Sequence, residues 1–573
     1  MVAQLATFAF HGVDARKVDV QVQVSGGANA FSIVGLPDKA VSEARERVRA
    51  ALSAIGLGLP PKRVTVNLAP ADLPKEGAHF DLAIALALIA EMGAAPKDAV
   101  DGYAVLGELG LDGSIARVNG VLPAAIAANA LGLGLICPAG NGAEAAWAGD
   151  GLSILAPGSI IQLINHFKGV QILSAPEPHA PTQSRSNERL AQQNEALTGL
   201  DLAEVKGQES AKRALEVAAA GGHNLLMIGP PGAGKSMLAA RLPGLLPPLS
   251  PAEMLDVSMV QSVSGLLEDG RLTSARPFRA PHHSASMAAM VGGGAKARPG
   301  EASLAHHGVL FLDELPEFSP QVLDSLRQPL ETGDVMIARA NCHVRYPARF
   351  QLVAAMNPCR CGYGKASGRA CGRGANCEAV YQSRVSGPLL DRMDLSIDLL
   401  PVTPTDLATP SAGETSATVA ARVAAAREAA VQRRQELDAK TTVSPKTTPS
   451  SNGDSRPSGA SGAYALNAAL PDRLIPAVAT PDAEGAALLT RACETLGLSA
   501  RAYHRALKLA RTLADLDGTD AVKRRHIAEA ISYRRRDAGL GSNAASMAAS
   551  GEGVRLAKTA GPDNGSDRRL ITG

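Results

Sequence analysis

Alternating hydrophobic and polar positions near the start of the chain predict a mixture of strands and helices. Residues 18–24, VDVQVQV, place an apolar side chain at every second position, as in a half-buried strand. Residues 39–56 space their apolar side chains three and four positions apart and end in glycine, which predicts an amphipathic helix. A further strand is predicted at 62–70 and a further helix at 81–92. Residues 1–170 are therefore expected to form a folded domain.

Changes in composition divide the remainder of the chain. Polar, proline-containing sequence predicts a linker at 171–199. Sequence rich in Ser, Thr, Pro and Gly predicts a disordered insert at 440–464, and a Gly/Ser/Ala-rich disordered tail is expected at 539–573. The other predicted regions are a folded core at 200–400, a helical connection at 401–439 and a C-terminal helical region at 465–538.

The composition is that of a globular protein with an aliphatic core. The 573 residues are enough for several domains, and 46% of them are hydrophobic but only 3% are aromatic, so Ala, Val, Leu and Ile must build the core. A formal net charge of +2 is too small to argue for or against nucleic acid, because local patches decide that question.

The chain is expected to be a cytoplasmic protein that makes no membrane contact. Its N-terminus lacks the basic segment and long apolar run of a secretory signal, and its longest apolar run, 81–90, is far shorter than the ~20 residues that span a bilayer. Its seven cysteines are odd in number and mostly clustered, which does not indicate a disulfide framework. Reduced thiols are therefore expected.

The strongest chemical signal is a glycine-rich motif that lies between an apolar strand pattern and a helix pattern, in NLLMIGPPGAGKSMLAARL (224–242). It fits G-x-x-x-x-G-K-S, in which glycines let backbone N–H groups turn toward phosphate oxygens and the helix adds its positive dipole end. The lysine reaches the β and γ phosphates and the serine ligates Mg²⁺. We therefore predict that ATP and Mg²⁺ bind here. The residues of the motif are Gly229, Pro230, Pro231, Gly232, Ala233, Gly234, Lys235 and Ser236.

Two further apolar strands end in the polar residues that this chemistry needs. The strand pattern in HGVLFLDELPEF (307–318) ends at Asp313, which can hold the Mg²⁺ shell, and Glu314, which can polarise the attacking water. A solvated acidic turn is the alternative, but the glycine-rich motif favours the catalytic interpretation. The strand in RFQLVAAMNP (349–358) ends at Asn357, whose amide can bind the γ-phosphate or orient water.

Longer segments of the chain resemble the YifB/ComM family, which lies within the magnesium-chelatase-like branch of AAA+ ATPases. The segments that carry this resemblance are 35–52, 276–318, 386–395 and 497–516, and the likeness covers nearly all of the chain except its linkers. It implies an α/β protein with a Lon-protease-like α+β N-terminal domain, an AAA+ P-loop α/β core and a C-terminal helical lid. It also implies a homo-oligomeric ring, expected to be a hexamer with ATP between subunits. The implied activity is that of a DNA helicase, which promotes branch migration of recombining DNA during natural transformation.

The same resemblance assigns roles around the nucleotide. Asn357 matches the sensor-1 position, Arg392 in LLDRMD matches the arginine finger that acts on a neighbour's ATP, and Arg501 in LSARAYHR matches sensor 2. Arg384 in QSRVSGP is a second finger candidate. Cations suit this chemistry because negative charge on the γ-phosphoryl group must be stabilised in the transition state. The alternative for each arginine is a surface or salt-bridge residue.

The branch also implies a hairpin before sensor 1 and an insert near 257–300. Two β-like runs in 333–350 fit the hairpin, on which Arg339 and Arg345 would line the ring pore and touch the DNA backbone. Ordinary solvated basic residues are the alternative. The basic residues of the insert also suit phosphate tracking without base readout, with the same alternative; they are Arg276, Arg279, Lys296 and Arg298.

The N-terminal region resembles the Lon protease domain in the segments 73–88 and 106–128. That family uses a Ser–Lys dyad, but its serine position falls at His79 and its lysine position at Ala124. Ser114 lies near but lacks a plausible lysine partner. A domain without peptidase chemistry is therefore expected, used for assembly or DNA guidance.

Four clustered cysteines form the pattern C-x-C-x₉-C-x₅-C and could enclose a structural Zn²⁺ beside sensor 1. Family members often have a tighter second pair, so the x₅ gap puts the geometry in doubt, and reduced structural cysteines are the alternative. The four residues are Cys359, Cys361, Cys371 and Cys377.

Two pairs of adjacent histidines, 282–283 and 306–307, invite a metal-site interpretation. Adjacent side chains diverge on a strand or helix, so we expect hydrogen-bonding or interface histidines instead.

Two rival functions remain open at this point. The first is the ATPase subunit of a complex that inserts Mg²⁺ into a porphyrin. The second is a regulator or chaperone that hydrolyses ATP and remodels partners without moving DNA strands. The Lon-like region argues against the first, and absence of stimulation by DNA would favour either.

Overall fold

The computed structural model describes residues 3–180, 199–267, 269–294, 297–338, 343–362, 377–403, 413–441 and 466–534. None of the helices in these ranges is both long enough and apolar enough to cross a bilayer.

A seven-stranded mixed sheet organises the N-terminal region. The strands of this region are β1 (Ala3–His11), β2 (Asp14–Ser25), β3 (Ala30–Val34), β4 (Arg63–Ala69), β5 (Tyr103–Val105), β6 (Glu108–Leu109), β7 (Ile115–Ala116), β8 (Gly134–Ile136) and β9 (Ile154–Leu155). Strands β6 and β7 pair with each other, and the rest form one sheet in the order β3-β4-β2-β1-β5-β8-β9. The β1–β2 and β2–β4 pairs are antiparallel and the other pairs are parallel.

Helices cover this sheet with aliphatic side chains. They are α1 (Lys39–Ala54), α2 (Asp81–Glu91), α3 (Lys97–Val100), α4 (Val121–Ala130), α5 (Gly142–Ala145) and α6 (Ile160–Phe167). Every residue from Asp81 to Ala90 is buried, which explains why the pattern of α2 is apolar on all sides rather than amphipathic. The strands and helices predicted at 18–24, 39–56, 62–70 and 81–92 are confirmed.

A five-stranded parallel sheet organises the core. Its strands are β10 (Leu225–Ile228), β11 (Phe278–Arg279), β14 (Val309–Leu312), β17 (Gln351–Met356) and β18 (Leu395–Asp398), in the order β11-β14-β17-β10-β18. Two short hairpins accompany it: β12 (Gly292–Gly293) with β13 (Arg298–Pro299), and β15 (Asp334–Ala338) with β16 (His343–Pro347). Strands β10, β14 and β17 are buried along their whole length, as expected of central parallel strands. The predicted mixture of α and β structure with a parallel core sheet is confirmed.

Helices pack on the core sheet and continue to the end of the described chain. In the core they are α7 (Glu209–Gly221), α8 (Lys235–Leu245), α9 (Pro251–Ser264), α10 (Met287–Val291), α11 (Glu301–Leu304), α12 (Pro320–Ser325), α13 (Arg327–Thr332), α14 (Cys377–Gln382) and α15 (Gly387–Leu390). Beyond the sheet they are α16 (Ser416–Thr441), α17 (Ile475–Val478), α18 (Ala483–Leu496), α19 (Ala500–Leu516) and α20 (Arg524–Ser532). Leu509, Leu513 and Val423 belong to the same buried cluster as the sheet, so α16 and α19 pack on the core.

The N-terminal region rests on the core through backbone contacts and a buried carboxylate. The N–H of Gly120, just before α4, donates to the carbonyl of Ser262 on α9 at 3.1 Å. The Ser262 hydroxyl donates to Glu144 at 2.5 Å. A second contact joins the β1–β2 turn to β16. Gly12 in the turn lies so close to β16 that a Cβ added to it would be 2.4 Å from the carbonyl oxygen of Arg345.

Most of the predicted linker and insert lies outside the described residues. Residues 171–180 of the linker contain neither helix nor strand. Helix α16 continues to residue 441, two positions beyond the predicted end of the helical connection. The tail and nearly all of the predicted insert are not described, and the domain boundaries, the Lon-like likeness and the lid remain predictions.

Candidate nucleotide site

Three neighbouring parallel strands end at one edge of the core sheet, and each is followed by a polar residue of the predicted site. Strand β10 leads into Gly229, β14 into Asp313 and β17 into Asn357. The register pairs Ile228 with Met356, so the first and third of these ends lie side by side. Because strands in a parallel sheet run in one direction, their carboxyl ends meet where such folds bind ligands.

The glycine-rich loop has the backbone that its sequence predicts. Gly232 and Gly234 have φ values of 78° and 89°, in the left-handed region that glycine adopts at little cost. Helix α8 begins at Lys235 with eleven residues, so its first N–H groups and positive dipole end face the loop. The loop and helix therefore provide the fixed donors that a phosphate group needs.

Lys235 is held at the centre of the loop. Its Nζ donates to the carbonyls of Gly229 and Pro230 at 2.7 and 2.9 Å and to Oδ1 of Asn357 at 3.0 Å. Burial lowers the pKa of the Lys235 ammonium from its usual value, while Asp313 and Glu314 act in the opposite direction. The structure thus brings together the lysine, the loop and the amide that the sequence analysis placed in one site.

Ser236 and Asp313 form an oxygen pair suited to a divalent cation. The serine Oγ lies 2.7 Å from Oδ2 of the aspartate, whose other oxygen accepts a 2.8 Å bond from the N–H of Glu314. Hydroxyl and carboxylate oxygens are the ligands that Mg²⁺ prefers. The donor set therefore fits Mg²⁺, and the loop fits the phosphates of ATP.

Glu314 projects from an unusual backbone position. Its φ is 51°, and its side chain is 52% exposed. Oε2 lies 3.4 Å from Nδ1 of His283, one of the adjacent histidines for which a hydrogen-bonding or interface role was expected. The sequence could have indicated this proximity, because His283 follows β11 by four residues. Strand β11 lies beside β14, the strand that leads to Glu314.

Arg384 lies at the same edge as Glu314. Its guanidinium pairs with Glu317 at 3.0 Å, one turn beyond Glu314, and its side chain is partly exposed. Burial raises the pKa of the neighbouring Tyr381 hydroxyl to about 12, with a further contribution from Glu317.

Arg392 and Arg501 lie at the opposite edge of the sheet. Arg392 precedes β18, which runs parallel to β10, so it is separated from the glycine-rich loop by the length of a strand, ~13 Å for four residues. Both arginines contact Glu331: Arg392 through a close ion pair and Arg501 at 3.9 Å. The structure therefore does not bring either arginine to the nucleotide loop of its own chain.

The two arginines differ in accessibility. The Arg392 side chain is 7% exposed and also donates to the carbonyl of Pro388, whereas that of Arg501 is 56% exposed. A cavity of about 830 Å³ opens beside them, between the core and helices α16 and α19, and Glu331, Arg349, Arg427 and Lys508 help to line it.

The basic residues of the insert are used in different ways. Arg276 is part-buried, pairs with Glu253 and also donates to the carbonyls of Pro247 and His307. Arg279 forms a two-bond pair with Glu301. These contacts do not fit the prediction that Arg276 and Arg279 track phosphates, because internal carbonyls and carboxylates already occupy both guanidinium groups.

Two other basic residues face solvent. Arg298 on β13 is exposed, and Arg345 on β16 is exposed while pairing with Asp334. The hairpin predicted before sensor 1 is present as β15 and β16. Lys296 and Arg339 lie outside the described residues.

The described residues give zinc no support. The sulfur atoms of Cys359 and Cys361 lie 2.7 Å apart, but Cys377 does not join them in a group of converging metal-ligand atoms. Cys371 falls outside the described ranges, so the complete four-cysteine site is untested.

The adjacent histidines do not diverge as the sequence analysis expected. The ring centroids of each pair lie 4.0 Å apart, and the left-handed φ of His307, 56°, removes the helix or strand geometry on which the expectation rested. Asp256, His306 and His307 bring their ligand atoms within 4.8 Å of one another. However, Nδ1 of His306 accepts the N–H of Arg349, so in the neutral ring its Nε2 carries the proton and is not a metal ligand. Burial lowers the pKa of His306 and keeps that ring neutral.

The positions of the absent protease dyad lie inside the N-terminal core. His79 is buried, with Nε2 2.9 Å from the carbonyl oxygen of Phe8, and Ala124 is buried on α4. Burial lowers the pKa of His79 to about 4. Ser114 donates its hydroxyl to Asp112 at 2.6 Å.

Three family models match successive parts of the chain. The model described as magnesium chelatase, subunit ChlI, matches residues 201–407. The model for subunit ChlI of Mg-chelatase matches residues 20–141, and the model for the C-terminal part of subunit ChlI matches residues 413–534.

Similar proteins cover nearly the full length of the chain. It is 41% identical over 533 residues to the protein YifB of Escherichia coli, covering 93% of this chain and 96% of YifB. It is 42% identical over 525 residues to competence protein ComM of Haemophilus influenzae, covering 91% and 95% respectively. A magnesium-chelatase 38 kDa subunit of Rhodobacter capsulatus is 29% identical over 171 residues, which is 27% of this chain and 49% of that subunit.

Proposed function

This chain belongs to the YifB/ComM family of magnesium-chelatase-like AAA+ proteins, and from that premise we propose that it is an ATP-driven DNA motor. The proposed protein is a homo-hexameric helicase that hydrolyses ATP and promotes branch migration of recombining DNA, as in natural transformation. The similarity to a relative named as a competence protein supports the link with DNA.

One observation carries the ATPase part of the proposal. Lys235 and Ser236 begin α8 after the end of β10, and each bonds a residue at another strand end, at 3.0 Å from the lysine to Asn357 and 2.7 Å from the serine to Asp313, so the four residues lie together as one group. Phosphoryl transfer needs a cation, a metal-binding oxygen pair and a polar group near the γ-phosphate. The group supplies all three.

Each residue of the site has a defined task in this mechanism. Bound ATP supplies the phosphoryl group, and Mg²⁺ neutralises part of its charge. Lys235 would exchange its present carbonyl contacts for phosphate oxygens, and Ser236 with Asp313 would hold the metal. Asn357 would orient the attacking water, and Glu314 would polarise it.

Arg392 and Arg501 are proposed to act on the ATP of a neighbouring subunit. Both lie at the sheet edge opposite to their own glycine-rich loop and share Glu331. In a closed ring, each subunit meets the next through two different surfaces, so the loop of one can face the arginines of another. Stabilisation of the γ-phosphoryl charge would then require contact between subunits. Arg384 is the weaker candidate because it lies at the same edge as Glu314 in its own chain.

DNA contact is proposed for exposed basic residues of the two hairpins. Arg298 and Arg345 are solvent-facing cations on β13 and β16, and such residues bind phosphates without reading bases. Arg345 would exchange Asp334 for phosphate on binding.

The strongest rival is the ATPase of a metal-insertion complex, because all three matching family models are named for magnesium chelatase. Steady-state ATP hydrolysis by the full chain, with and without four-way junction DNA, separates the two. A DNA motor is expected to hydrolyse ATP faster in the presence of DNA. An unchanged rate, followed by stimulation with a porphyrin, would support the rival instead.

A further inference from the structure

The cavity between the core and helices α16 and α19 lies at the sheet edge opposite to the glycine-rich loop. Asn224, Gly308 and Asp394 line it, and they directly precede β10, β14 and β18. The cavity is therefore separated from the proposed ATP site of its own chain by the length of a strand, ~13 Å for four residues. Arg392 and Arg501, which are proposed to act on a neighbour's ATP, are not among the described residues that line it.

Two kinds of surface meet in this cavity. Residues 246–249, Leu-Pro-Pro-Leu, provide an apolar wall, and Phe350 and Leu466 add to the apolar lining. The charged residues of the described lining are five cations and three carboxylates, which leaves an excess of two positive charges. A volume of about 830 Å³ is in the range of pockets that hold small organic ligands.

One cation of the lining differs from its neighbours in lacking a counter-charge. Arg505 pairs with Asp394 at 3.5 Å. Lys508 pairs with Asp472 at 3.1 Å. By contrast, Arg427 on α16 has no carboxylate within ion-pair distance in the described part of the chain, since its hydrogen bonds there go to a backbone carbonyl. An anion that enters the cavity would therefore meet an uncompensated guanidinium.

The contacts of Arg427 leave one of its nitrogens for a ligand. Nε and Nη2 donate to the carbonyl of Ala219, near the end of α7, at 2.8 and 2.6 Å. Nη1 bonds no atom of the described residues. Burial lowers the pKa of the Arg427 guanidinium to about 9, so the group is still charged at neutral pH. Because a buried charge without a partner is costly, this position favours an anion.

The lining indicates which kind of anion fits. A guanidinium suits the oxygens of a phosphate group, and the excess of two positive charges matches the nearly two negative charges of a phosphate monoester. Inorganic phosphate would satisfy the arginine but would leave the apolar wall and most of the volume unused. An apolar or aromatic group attached to the phosphate would occupy both.

We propose that this cavity binds a small organic phosphate, with the phosphate on Arg427 and the apolar group against residues 246–249. The site lies within one subunit and is separate from the ATP that the glycine-rich loop is proposed to hold. It requires neither DNA nor ATP hydrolysis, so its test is independent of the proposed motor.

The test is isothermal titration calorimetry of the full chain with AMP, inorganic phosphate and adenosine as probes. Lys235→Ala is the background, because it removes the main cation of the glycine-rich loop. AMP is expected to bind this variant saturably, and at least about ten-fold more tightly than inorganic phosphate or adenosine, because AMP alone occupies both surfaces. Absence of AMP binding would overturn the proposal, and so would an equal Kd for AMP and inorganic phosphate.

A substitution of the arginine locates the binding. Arg427→Gln, made in the same background, removes the charge but keeps a donor for the carbonyl of Ala219. It is expected to weaken AMP binding at least about ten-fold, because the phosphate loses a charged hydrogen-bond donor. Arg422→Gln is the matched control, since Arg422 lies on the same helix, pairs with Glu216 and is not among the described residues that line the cavity. It is expected to change the Kd less than about twofold.

A second variant keeps the proposal testable if Arg427→Gln disturbs the fold. Ala468 lines the cavity and is only part-buried, so a larger side chain there takes up cavity space without entering a packed core. Ala468→Phe is expected to weaken AMP binding about ten-fold while Arg427 stays in place. Unchanged AMP affinity in both Arg427→Gln and Ala468→Phe would place the bound AMP elsewhere and overturn the proposal.

Discussion

Lys235 is the residue through which the separate parts of the site meet. It touches the loop by two carbonyls and the end of β17 by Asn357, and it is almost fully buried. A buried ammonium without these contacts or phosphate would be costly, so its position reflects a site built for charge.

Removal of Lys235 should abolish nucleotide chemistry while leaving the fold intact. Lys235→Ala is expected to lower the rate of ATP hydrolysis at least about a hundred-fold and to weaken nucleotide binding, because the phosphates lose their main counter-charge. Glu314→Gln is expected to keep nucleotide binding and lose hydrolysis. Equilibrium binding of a fluorescent ATP analogue, measured beside turnover, separates the two variants. Lys17→Ala, at an exposed pair on β2, is the control.

At the residue scale, the sequence predicted a residue's position where a polar side chain directly follows a buried apolar strand. The strand ends at Asp313 and Asn357 follow from buried apolar runs, and their meeting follows from a parallel sheet. The position of Arg501 could not be predicted, since it depends on how α19 packs on the amino edge of the sheet. The His306–His307 contact was missed because a left-handed residue interrupts the regular backbone.

At the scale of elements, the junction between the β1–β2 turn and the β15–β16 hairpin links the N-terminal region to the proposed DNA hairpin. Gly12 has a φ of 71°, and a Cβ there would lie 2.4 Å from the carbonyl oxygen of Arg345. Gly56 has a similar φ of 80° but no atom within 4 Å of the same position. The two glycines thus differ in their surroundings but share a left-handed backbone that would strain any other residue.

Gly12→Ala should destabilise the protein more than Gly56→Ala. Both changes carry the left-handed cost of ~1 kcal/mol, and the first adds an overlap with backbone worth about 1–3 kcal/mol. Denaturant unfolding of the two variants measures the difference. Equal losses in the free energy of unfolding would show that the β1–β2 turn does not contact the hairpin closely at Gly12.

The buried histidine of the N-terminal region makes a pH-dependent contribution to stability. The residue is His79, whose pKa in the folded protein is about 4, against an ordinary 6.5. The unfolded chain therefore binds the proton first as the pH falls. The stability that the neutral ring provides is present above pH 6.5 and is lost between 6.5 and 4, on the order of 3 kcal/mol in total.

His79→Gln should flatten this dependence, because an amide can still donate to the carbonyl of Phe8 but does not titrate. Chemical denaturation of the parent and the variant at pH 7 and at pH 5 gives the change in the free energy of unfolding for each protein. A variant that loses as much stability as the parent between these values would locate the titrating group elsewhere.

At the scale of the whole molecule, the placement of its cations argues for a ring. Lys235 and Asn357 lie at one edge of the sheet, and Arg392 with Arg501 lie at the other. A single chain cannot bring both sets to one phosphate without a large rearrangement. Subunits arranged head to tail can.

Mixing of inactive variants tests this arrangement. Lys235→Ala subunits retain their arginines, and Arg501→Ala subunits retain their loop, so mixed rings contain some complete sites. ATP hydrolysis is expected to reappear on mixing if Arg501 acts between subunits. Continued inactivity of the mixture, with assembly verified by sedimentation, would place the arginine in the site of its own chain. Arg501 suits this test because its exposed side chain is removed without leaving a buried gap.

The central claim is that ATP hydrolysis at this site moves DNA strands. The most direct measurement is ATP-driven branch migration on a labelled four-way junction with Mg²⁺, comparing the parent with Lys235→Ala and Glu314→Gln. We predict that the parent separates the junction into its product duplexes and that both variants leave it intact. A parent protein that hydrolyses ATP at a normal rate, yet leaves the junction unchanged, would contradict the claim.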